Sequence, residues 1–207
     1  MNKLTALVTG LTLLLQALPA MAIATQQSKP KTFTQWCQQR NSVPAATKLT
    51  IDLLLKQAGT ENCDRADSTL SNLTRLDLNS EKISDLQPIS SFTKLINLRL
   101  YNNQIRDIEP LAGLVELTML YIDENKIDNL KPLSKMNKLV LLQLNKNRIE
   151  DLKPLSGLSK LILLDLRQNQ IDDIQPLASL TNLKRLWIDD NRIENIQPLA
   201  RGCISSI

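Results

Sequence analysis

The sequence predicts an α/β solenoid in which one short strand and one tight turn recur every 22 residues. Core leucines lie 22 apart at Leu76, Leu98, Leu120, Leu142, Leu164 and Leu186. A proline follows in every unit, at Pro88, Pro110, Pro132, Pro154, Pro176 and Pro198. Periods in the low twenties are typical of solenoids, which usually present an extended binding surface. The repeat therefore favours binding over catalysis.

The N-terminus predicts export. Residues 1–24 have the composition of a signal peptide, with Lys3, an apolar run over 4–18, and small residues for cleavage at 20–22 or 22–24. The run is too short for a membrane span, and no later run reaches spanning length. We expect a secreted or periplasmic chain with no integral membrane span after cleavage. An uncleaved N-terminal anchor is the alternative.

Composition argues against several functions. Without Lys3 the chain has 24 basic and 21 acidic residues of alternating sign, whereas a nucleic-acid interface needs clustered positive charge. The chain has no histidine, which excludes Ser-His-Asp and Cys-His catalysis and His-ligated metals. Three cysteines without a CxxC motif cannot build a zinc site alone. We expect no enzyme activity, no cofactor and no metal, although carboxylate-only chemistry remains formally open.

Residues 25–32 are predicted to be a flexible leader, and residues 33–69, which lack the repeat, a helical N-terminal cap. Asn41 or Ser42 could cap a helix that begins near Pro44 and ends near Gly59. One face of this helix would carry Ala46, Leu49, Leu53 and Leu54.

Two cysteines, Cys37 and Cys63, flank that helix. In an exported protein such a pair is expected to form a disulfide. The bridge would close a loop of about 27 residues and contribute roughly 3.5 kcal/mol, holding the cap over the first repeat. A redox-active pair is the functional alternative, but no thioredoxin-like motif accompanies it.

Six repeats are predicted over residues 70–199. Written from Leu95, the unit is L-x-x-L-x-L-x-x-N-x-I-x-D-I-x-P-L-x-x-L. The alternation at 98–100 predicts a short strand, and the polar cap and proline at 107–111 predict a 3₁₀ or irregular turn. One coil cannot bury its own leucines, so the coils must stack.

These motifs resemble the leucine-rich repeat family, in particular its bacterial internalin-like class with a 22-residue repeat. The cysteine-bearing segment is similar to the N-terminal cap of secreted bacterial, including cyanobacterial, leucine-rich repeat proteins. The resemblance implies a curved solenoid with a parallel β-sheet on its concave face, short turns on its convex face, and protein recognition as its usual activity.

Two polar ladders have structural interpretations. Asn103, Asn125, Asn147, Asn169 and Asn191 follow the strands, where an amide can bind the backbone of its own and the adjacent coil. Asp85, Asp107, Asn129, Asp151, Asp173 and Asn195 precede the turns, where a short polar side chain caps backbone N–H groups. Calcium is disfavoured, because single carboxylates on separate coils do not supply six to eight oxygens.

Outward strand positions vary and are the candidate partner-binding residues. Exposed Tyr, Trp and Arg dominate binding hot spots, and three neighbouring coils carry an apolar stripe, for which edge packing is the alternative. The candidates are Arg99, Tyr101, Met119, Tyr121, Asp123, Leu141, Leu163, Arg167, Arg185, Trp187 and Asp189. Six strands would form a face about 24 Å long, which suits a small protein, a peptide or a glycan segment.

The repeat stops after Leu199, and residues 200–207 are too short for a C-terminal cap. Two explanations remain open: a truncated longer array, or an end-to-end dimer through Cys203. The leading functional hypothesis is an exported, non-catalytic module that binds a protein through its concave face. The alternatives are a cell-wall or extracellular glycan binder and a truncated repeat protein without retained function.

Overall fold

A computed structural model describes residues 32–197. Three helices come first, at α1 (Phe33–Gln38), α2 (Ala45–Ala58) and α3 (Cys63–Leu70). Six strands follow, at β1 (Arg75–Asp77), β2 (Asn97–Arg99), β3 (Met119–Tyr121), β4 (Leu141–Gln143), β5 (Leu163–Asp165) and β6 (Arg185–Trp187). Short 3₁₀ helices separate them, at Gln87–Ile89, Glu109–Leu111, Lys131–Leu133, Lys153–Leu155 and Gln175–Ser179.

The strands form one parallel sheet in the order of the sequence, and each residue pairs with the residue 22 positions later. The central leucine of each strand faces inward and is at most 1% exposed. With the isoleucines and leucines of the turns, these residues form one continuous core that also reaches the cap. The predicted fold class, a curved solenoid with strands on one face and 3₁₀ turns on the other, is confirmed.

The asparagine ladder has the predicted structural role. Asn103 Oδ1 accepts from the N–H of Ile83 in the preceding coil at 2.9 Å, while its Nδ2 donates to Leu78 O and Leu100 O at 2.9 and 3.0 Å. The same pattern recurs at Asn125, Asn147, Asn169 and Asn191. Each amide therefore satisfies buried backbone groups of two coils at once.

The second polar ladder, the Asp and Asn residues that precede the turns, caps those turns as predicted. Asp107 Oδ1 accepts from the N–H of Glu109 at 2.8 Å, and Asp151 Oδ1 accepts from Lys153 N at 2.9 Å. These side chains satisfy free N–H groups where each 3₁₀ helix begins.

The turn after each strand adopts a left-handed conformation without glycine. Glu124 and Lys146 have φ angles of 51° and 52°, and equivalent positions in other coils behave alike. The Glu124 N–H then donates to Asn145 O of the next coil at 2.9 Å. The hydrogen bond between coils offsets the cost of a left-handed L-residue.

The cap differs in detail from the prediction. Neither Asn41 nor Ser42 caps α2; its N-cap is Pro44, and the Ser42 hydroxyl donates to Gln39 O. Gly59 does end α2, with φ +66°. The predicted inward face is wrong in part, because Leu49 is 36% exposed. The inward face is instead Thr47, Thr50, Ile51, Leu54 and Leu55, which follow helical spacing.

The cap is attached to the first coil by several contacts. The Cys37–Cys63 disulfide joins α1 to α3, as expected. The rings of Phe33 and Phe92 lie 5.8 Å apart, and the Thr50 hydroxyl donates to Asp85 O at 2.7 Å. Thr47 also hydrogen-bonds to the Asp85 carboxylate. Thr47 and Thr50 are buried because they bind the first turn, which explains why a polar pair lies on the inward face.

The expected signal peptide (1–24), most of the leader, Leu199, the 200–207 tail and Cys203 lie outside the described residues. Within residues 32–197, no helix has the length and apolar character needed to cross a membrane.

Candidate binding face

The concave sheet carries three outward rows, each with one residue per coil. The first row is Arg75, Asn97, Met119, Leu141, Leu163 and Arg185. The middle row is Asp77, Arg99, Tyr121, Gln143, Asp165 and Trp187. The third row, directly after the strands, is Asn79, Tyr101, Asp123, Asn145, Arg167 and Asp189. Strand register places the members of a row beside one another, about 4.8 Å apart.

Arg99, Tyr121 and Met119 form one contact group across β2 and β3. The Arg99 guanidinium carbon lies 4.8 Å from the centre of the Tyr121 ring, and the Tyr121 hydroxyl approaches Met119 Sδ at 3.8 Å. Arg99 Nε is buried without a hydrogen-bond partner, and Arg99 forms no salt bridge among residues 32–197. The Tyr121 ring therefore positions the Arg99 guanidinium, whose positive charge is not neutralised by a carboxylate.

A second arginine–aromatic pair lies at the other end of the sheet. The Arg167 guanidinium is 6.0 Å from the Trp187 ring centre. Unlike Arg99, Arg167 is neutralised: its Nε and Nη2 donate to the two oxygens of Asp165 at 3.0 and 2.6 Å. This carboxylate raises the pKa of Arg167 above its ordinary value. Arg167 therefore contributes an exposed flat surface more than a free charge.

Asp123 departs from the expectation of an outward, accessible contact residue. It is 3% exposed, and Asp165, one coil further, is 2% exposed. Asn145 lies between them: its Nδ2 donates to Asp123 Oδ1 at 2.6 Å and approaches Asp165 Oδ2 at 3.5 Å. The Asn145 amide lies against the Asp123 carboxylate and helps to cover it. Sequence position alone gave no sign of that cover.

The two acids influence each other electrostatically. Burial raises the pKa of Asp123 to about 6, and the Asp165 carboxylate adds to this rise. Hydrogen bonding from the Asn145 N–H, at 3.1 Å, and the positive charge of Arg167 act in the opposite direction. A carboxyl group of the binding face thus titrates well above the ordinary range for aspartate.

The apolar stripe is wider than the predicted row of Met119, Leu141 and Leu163. Met119, Leu141 and Leu163 are partly exposed on three adjacent strands. A second set of apolar residues comes directly before β2, β4 and β5: Ile96, Val140 and Ile162. Ile96 is 41% exposed, and the other two are partly exposed. A recurring apolar residue at 96, 140 and 162 was the available sequence signal. The two sets together form a two-row apolar patch.

Arginines lie at both ends of the first row. Arg75 and Arg185 are exposed, and neither forms a salt bridge among the described residues. Tyr101, at 39% exposure, and Asp189 are exposed in the third row. Trp187 is partly exposed in the middle row. The candidate residues therefore share one face, with Asp123 the buried exception.

Depressions on the convex side are lined by turn residues. One is lined by Glu150, Asp151, Asp172 and Asp173. Asp151 and Asp173 each use one carboxylate oxygen to cap a turn. Between Thr32 and Gln197, no group of three or more Cys, Asp and Glu side chains is arranged to bind a metal ion.

A family model describing leucine-rich repeats in two copies matches residues 71–113, 93–135, 137–179 and 159–201, more than half of the chain. The chain belongs to the leucine-rich repeat family. No curated protein sequence gives a significant match.

Solved structures with the same architecture include two internalins of Listeria monocytogenes. Internalin C2 is 28% identical over 75% of this chain and 80% of its own, with a TM-score of 0.58. Internalin F is 28% identical over 88% of this chain and 59% of its own, with a TM-score of 0.60. The ectodomain of the Arabidopsis thaliana membrane receptor kinase GASSHO1/SCHENGEN3, in complex with CASPARIAN STRIP INTEGRITY FACTOR 2, is 26% identical, covering 61% and 16% of the two chains, with a TM-score of 0.55. This leucine-rich repeat protein is therefore internalin-like.

Proposed function

We propose that this protein is an exported, non-catalytic module that recognises a protein partner through its concave face. The observation on which this rests is the arrangement of Tyr101, Arg99 over Tyr121, and Arg167 beside Trp187 on one rigid sheet. Aromatic and arginine side chains that are fixed before binding lose little conformational entropy, which is why they dominate protein interfaces. One structural relative was solved in complex with a further named factor, CASPARIAN STRIP INTEGRITY FACTOR 2.

Export and a secreted or periplasmic location are part of this proposal. The signal-peptide pattern of residues 1–24 and the Cys37–Cys63 disulfide support them, because disulfides persist in oxidising compartments. Leucine-rich repeat domains generally act as binding scaffolds, and the histidine-free composition supports a non-catalytic role.

A glycan ligand on the same face is less favoured. A sugar would stack on aromatic ring faces, but the Arg99 guanidinium already lies over one face of Tyr121. Arg167 lies beside Trp187 in the same manner. Both guanidinium–aromatic pairs instead offer flat surfaces suited to a protein partner, and the pair at Arg99 adds a positive charge that can bind backbone carbonyls and acidic side chains.

The deciding experiment compares the mature protein with a Tyr121→Ala, Trp187→Ala double variant in a crosslinking pull-down from the native envelope. We expect the double variant to fold normally, by circular dichroism, and to lose the crosslinked protein partner. A matched control is Val115→Ala, which removes an exposed apolar residue outside the sheet. Unchanged capture by the double variant contradicts the concave-face proposal. Binding to a glycan array or to peptidoglycan with no protein partner contradicts the partner class.

A further inference from the structure

We infer that the two-row apolar patch, with Arg75 and Arg185 at its ends, is a docking site for an amphipathic α-helix of the partner, with acidic residues about four turns apart. This inference rests on the proposed function, and it adds where on the concave face the partner lies and what its chemistry is. The patch consists of Met119, Leu141 and Leu163 with Ile96, Val140 and Ile162.

The patch is accessible, and its first row is contiguous, while Thr118 stands between Ile96 and Val140 in its second row. Its first-row members lie on the adjacent strands β3, β4 and β5 and pair directly with one another. Ile96 is 41% exposed, and the remaining members are partly exposed. Contiguous apolar surface exposed across several coils costs free energy in water and is typical of interaction sites.

The spacing of the patch fits a helix better than an extended chain. Adjacent strands lie about 4.8 Å apart, so the three first-row side chains span roughly 9.6 Å. Two turns of an α-helix span about 10.8 Å, and side chains three and four residues apart share one face. In an extended chain, three successive side chains on the same face span about 13 Å, which is longer than the row. A helix lying across the strands therefore keeps one apolar side chain on each strand.

The width of the patch agrees with the same partner. A helix with its side chains is about 10–12 Å across, so it covers more than a single row of strand residues. Each of the three strands adds one partly exposed apolar or aromatic side chain beside the first row: Tyr121 beside Met119, Val140 beside Leu141, and Ile162 beside Leu163. The middle-row neighbours of Leu141 and Leu163 are Gln143 and the buried Asp165. The added side chains widen the apolar surface that a helix can bury.

The charges at the ends specify acidic groups on the partner. Arg75 on β1 and Arg185 on β6 lie five strand spacings apart, about 24 Å. Four helical turns span about 22 Å, and the flexible arginine stems cover the difference. Neither arginine has a salt-bridge partner among residues 32–197. The carboxylate of Asp77, beside Arg75, accepts a hydrogen bond from the backbone N–H of Asn79.

Apart from Asp77, which is exposed beside Arg75 without forming a salt bridge with it, the acidic side chains of the concave face lie away from this line. Asp123 and Asp165 are buried, and Glu124 is paired with Lys146 at 2.5 Å. Asp189 belongs to the third row, two rows beyond Arg185. The line from Arg75 through Met119 to Arg185 is therefore apolar in its centre and positive at its ends, which complements an acidic-ended amphipathic helix.

The test uses the full mature chain and synthetic peptides of about 18 residues, with binding measured by biolayer interferometry. The probe peptide has leucines three and four residues apart on one helical face and a glutamate beyond each end. The second peptide has the same composition with leucines at alternate positions, so that it forms an extended amphipathic chain. The third is the helical peptide with lysines in place of the glutamates.

We expect the glutamate-ended helical peptide to bind and the other two to bind at least about 10-fold more weakly. Leu141→Glu, which places a charge in the centre of the patch, should weaken binding by about 10-fold or more. An Arg75→Glu, Arg185→Glu variant should prefer the lysine-ended peptide, which separates a charge effect from loss of folding. Val115→Ser, a matched exposed apolar residue off the sheet, should bind as the parent does.

Equal or tighter binding of the extended peptide overturns the helix inference, as does binding unaffected by Leu141→Glu. No binding of the glutamate-ended peptide at millimolar concentration also overturns it. In that case, if the Tyr121→Ala, Trp187→Ala variant still loses the native partner, the concave-face function stands and only the helix is wrong. If native capture survives both the aromatic double substitution and Leu141→Glu, the proposed function fails and the inference fails with it.

Discussion

The guanidinium of Arg99 lies 4.8 Å from the centre of the Tyr121 ring, on the neighbouring strand of the same sheet. Each side chain limits the freedom of the other, and the pair brings a positive charge to an apolar surface. Cation–π contacts at partly exposed sites contribute about 0.5–1 kcal/mol. The contact thus links the stability of the sheet to the proposed recognition surface in one pair of residues.

A double-mutant cycle measures this pair. Arg99→Met retains the apolar stem, Tyr121→Leu removes the ring, and we expect a coupling of about 0.5–1 kcal/mol in the free energy of urea unfolding. The control cycle combines Tyr121→Leu with Arg185→Met, three strands away, and should be additive within about 0.5 kcal/mol. Equal coupling in both cycles argues against a direct contact.

The buried asparagine ladder predicts a large loss of stability from one amide. Asn147 accepts from Ile127 N and donates to Ile122 O and Leu144 O at 3.0–3.1 Å. Asn147→Ala leaves these buried groups unpaired and should cost about 2–4 kcal/mol in urea unfolding. Asn129→Ala is the matched control, because Asn129 is exposed and caps only Lys131 N, so it should cost about 1 kcal/mol. Similar losses at both sites contradict the ladder's role between coils.

The raised pKa of Asp123 predicts a specific pH dependence. Because its folded-state pKa of about 6 lies above the ordinary value of 3.8, the folded chain binds more protons than the unfolded chain between these values. Its contribution to the free energy of unfolding is therefore complete below pH 3.8 and is lost as the pH rises through 6. The loss is on the order of 3 kcal/mol.

The measurement compares urea unfolding of the parent and Asp123→Asn from pH 4 to 7. The amide oxygen of the variant can still accept from Asn145, but its side chain does not titrate. We expect the variant to gain stability relative to the parent across this range. Parallel pH curves for the two proteins contradict the burial of an ionising group at this position.

The disulfide predicts a stability effect confined to the cap. A Cys37→Ser, Cys63→Ser variant should lose about 3 kcal/mol, because the crosslink restricts the unfolded chain and joins α1 to α3. Hydrogen exchange should increase first in α1, α3 and the coil around Phe92, whereas the sheet around Leu142 should keep its protection. Uniform loss of protection along the repeats contradicts a local role.

Most of the fold could be predicted because the repeat is redundant. Six copies place Leu142 and its equivalents inward and fix the phase of every neighbour, so the outward rows follow directly. Asn147 and Asp151 were also predictable, since a short polar side chain at a turn has few alternatives to capping backbone groups. The cap lacks such repetition. Helix α1, with its Thr32–Gln35 capping box, and α3 were missed there, and Leu49 was placed on the wrong face.

The sequence predicts which residues form the rows of the candidate binding face, but it does not predict how accessible each residue is. Periodicity identifies which residues point outward, whereas accessibility depends on the sizes of the side chains beside them. Asp123 and Asp165 point outward and are nevertheless buried, because Asn145 and Arg167 cover them. Ile96 precedes the outward rows and is exposed. Such cover is a property of neighbouring coils and is invisible in any one repeat.

The sequence by itself determined the architecture of this protein: coil number, strand register and the polar ladders follow from spacing along the chain, and the disulfide pair follows from two cysteines that flank a helix in a chain expected to be exported. The tertiary structure decided the chemistry of the concave face. It placed the Arg99 cation over Tyr121, neutralised Arg167 with Asp165, covered Asp123, and joined residues of four coils into one apolar patch. The reason is that a period records backbone geometry, whereas charge pairing and exposure depend on which side chains meet within a coil and between neighbouring coils.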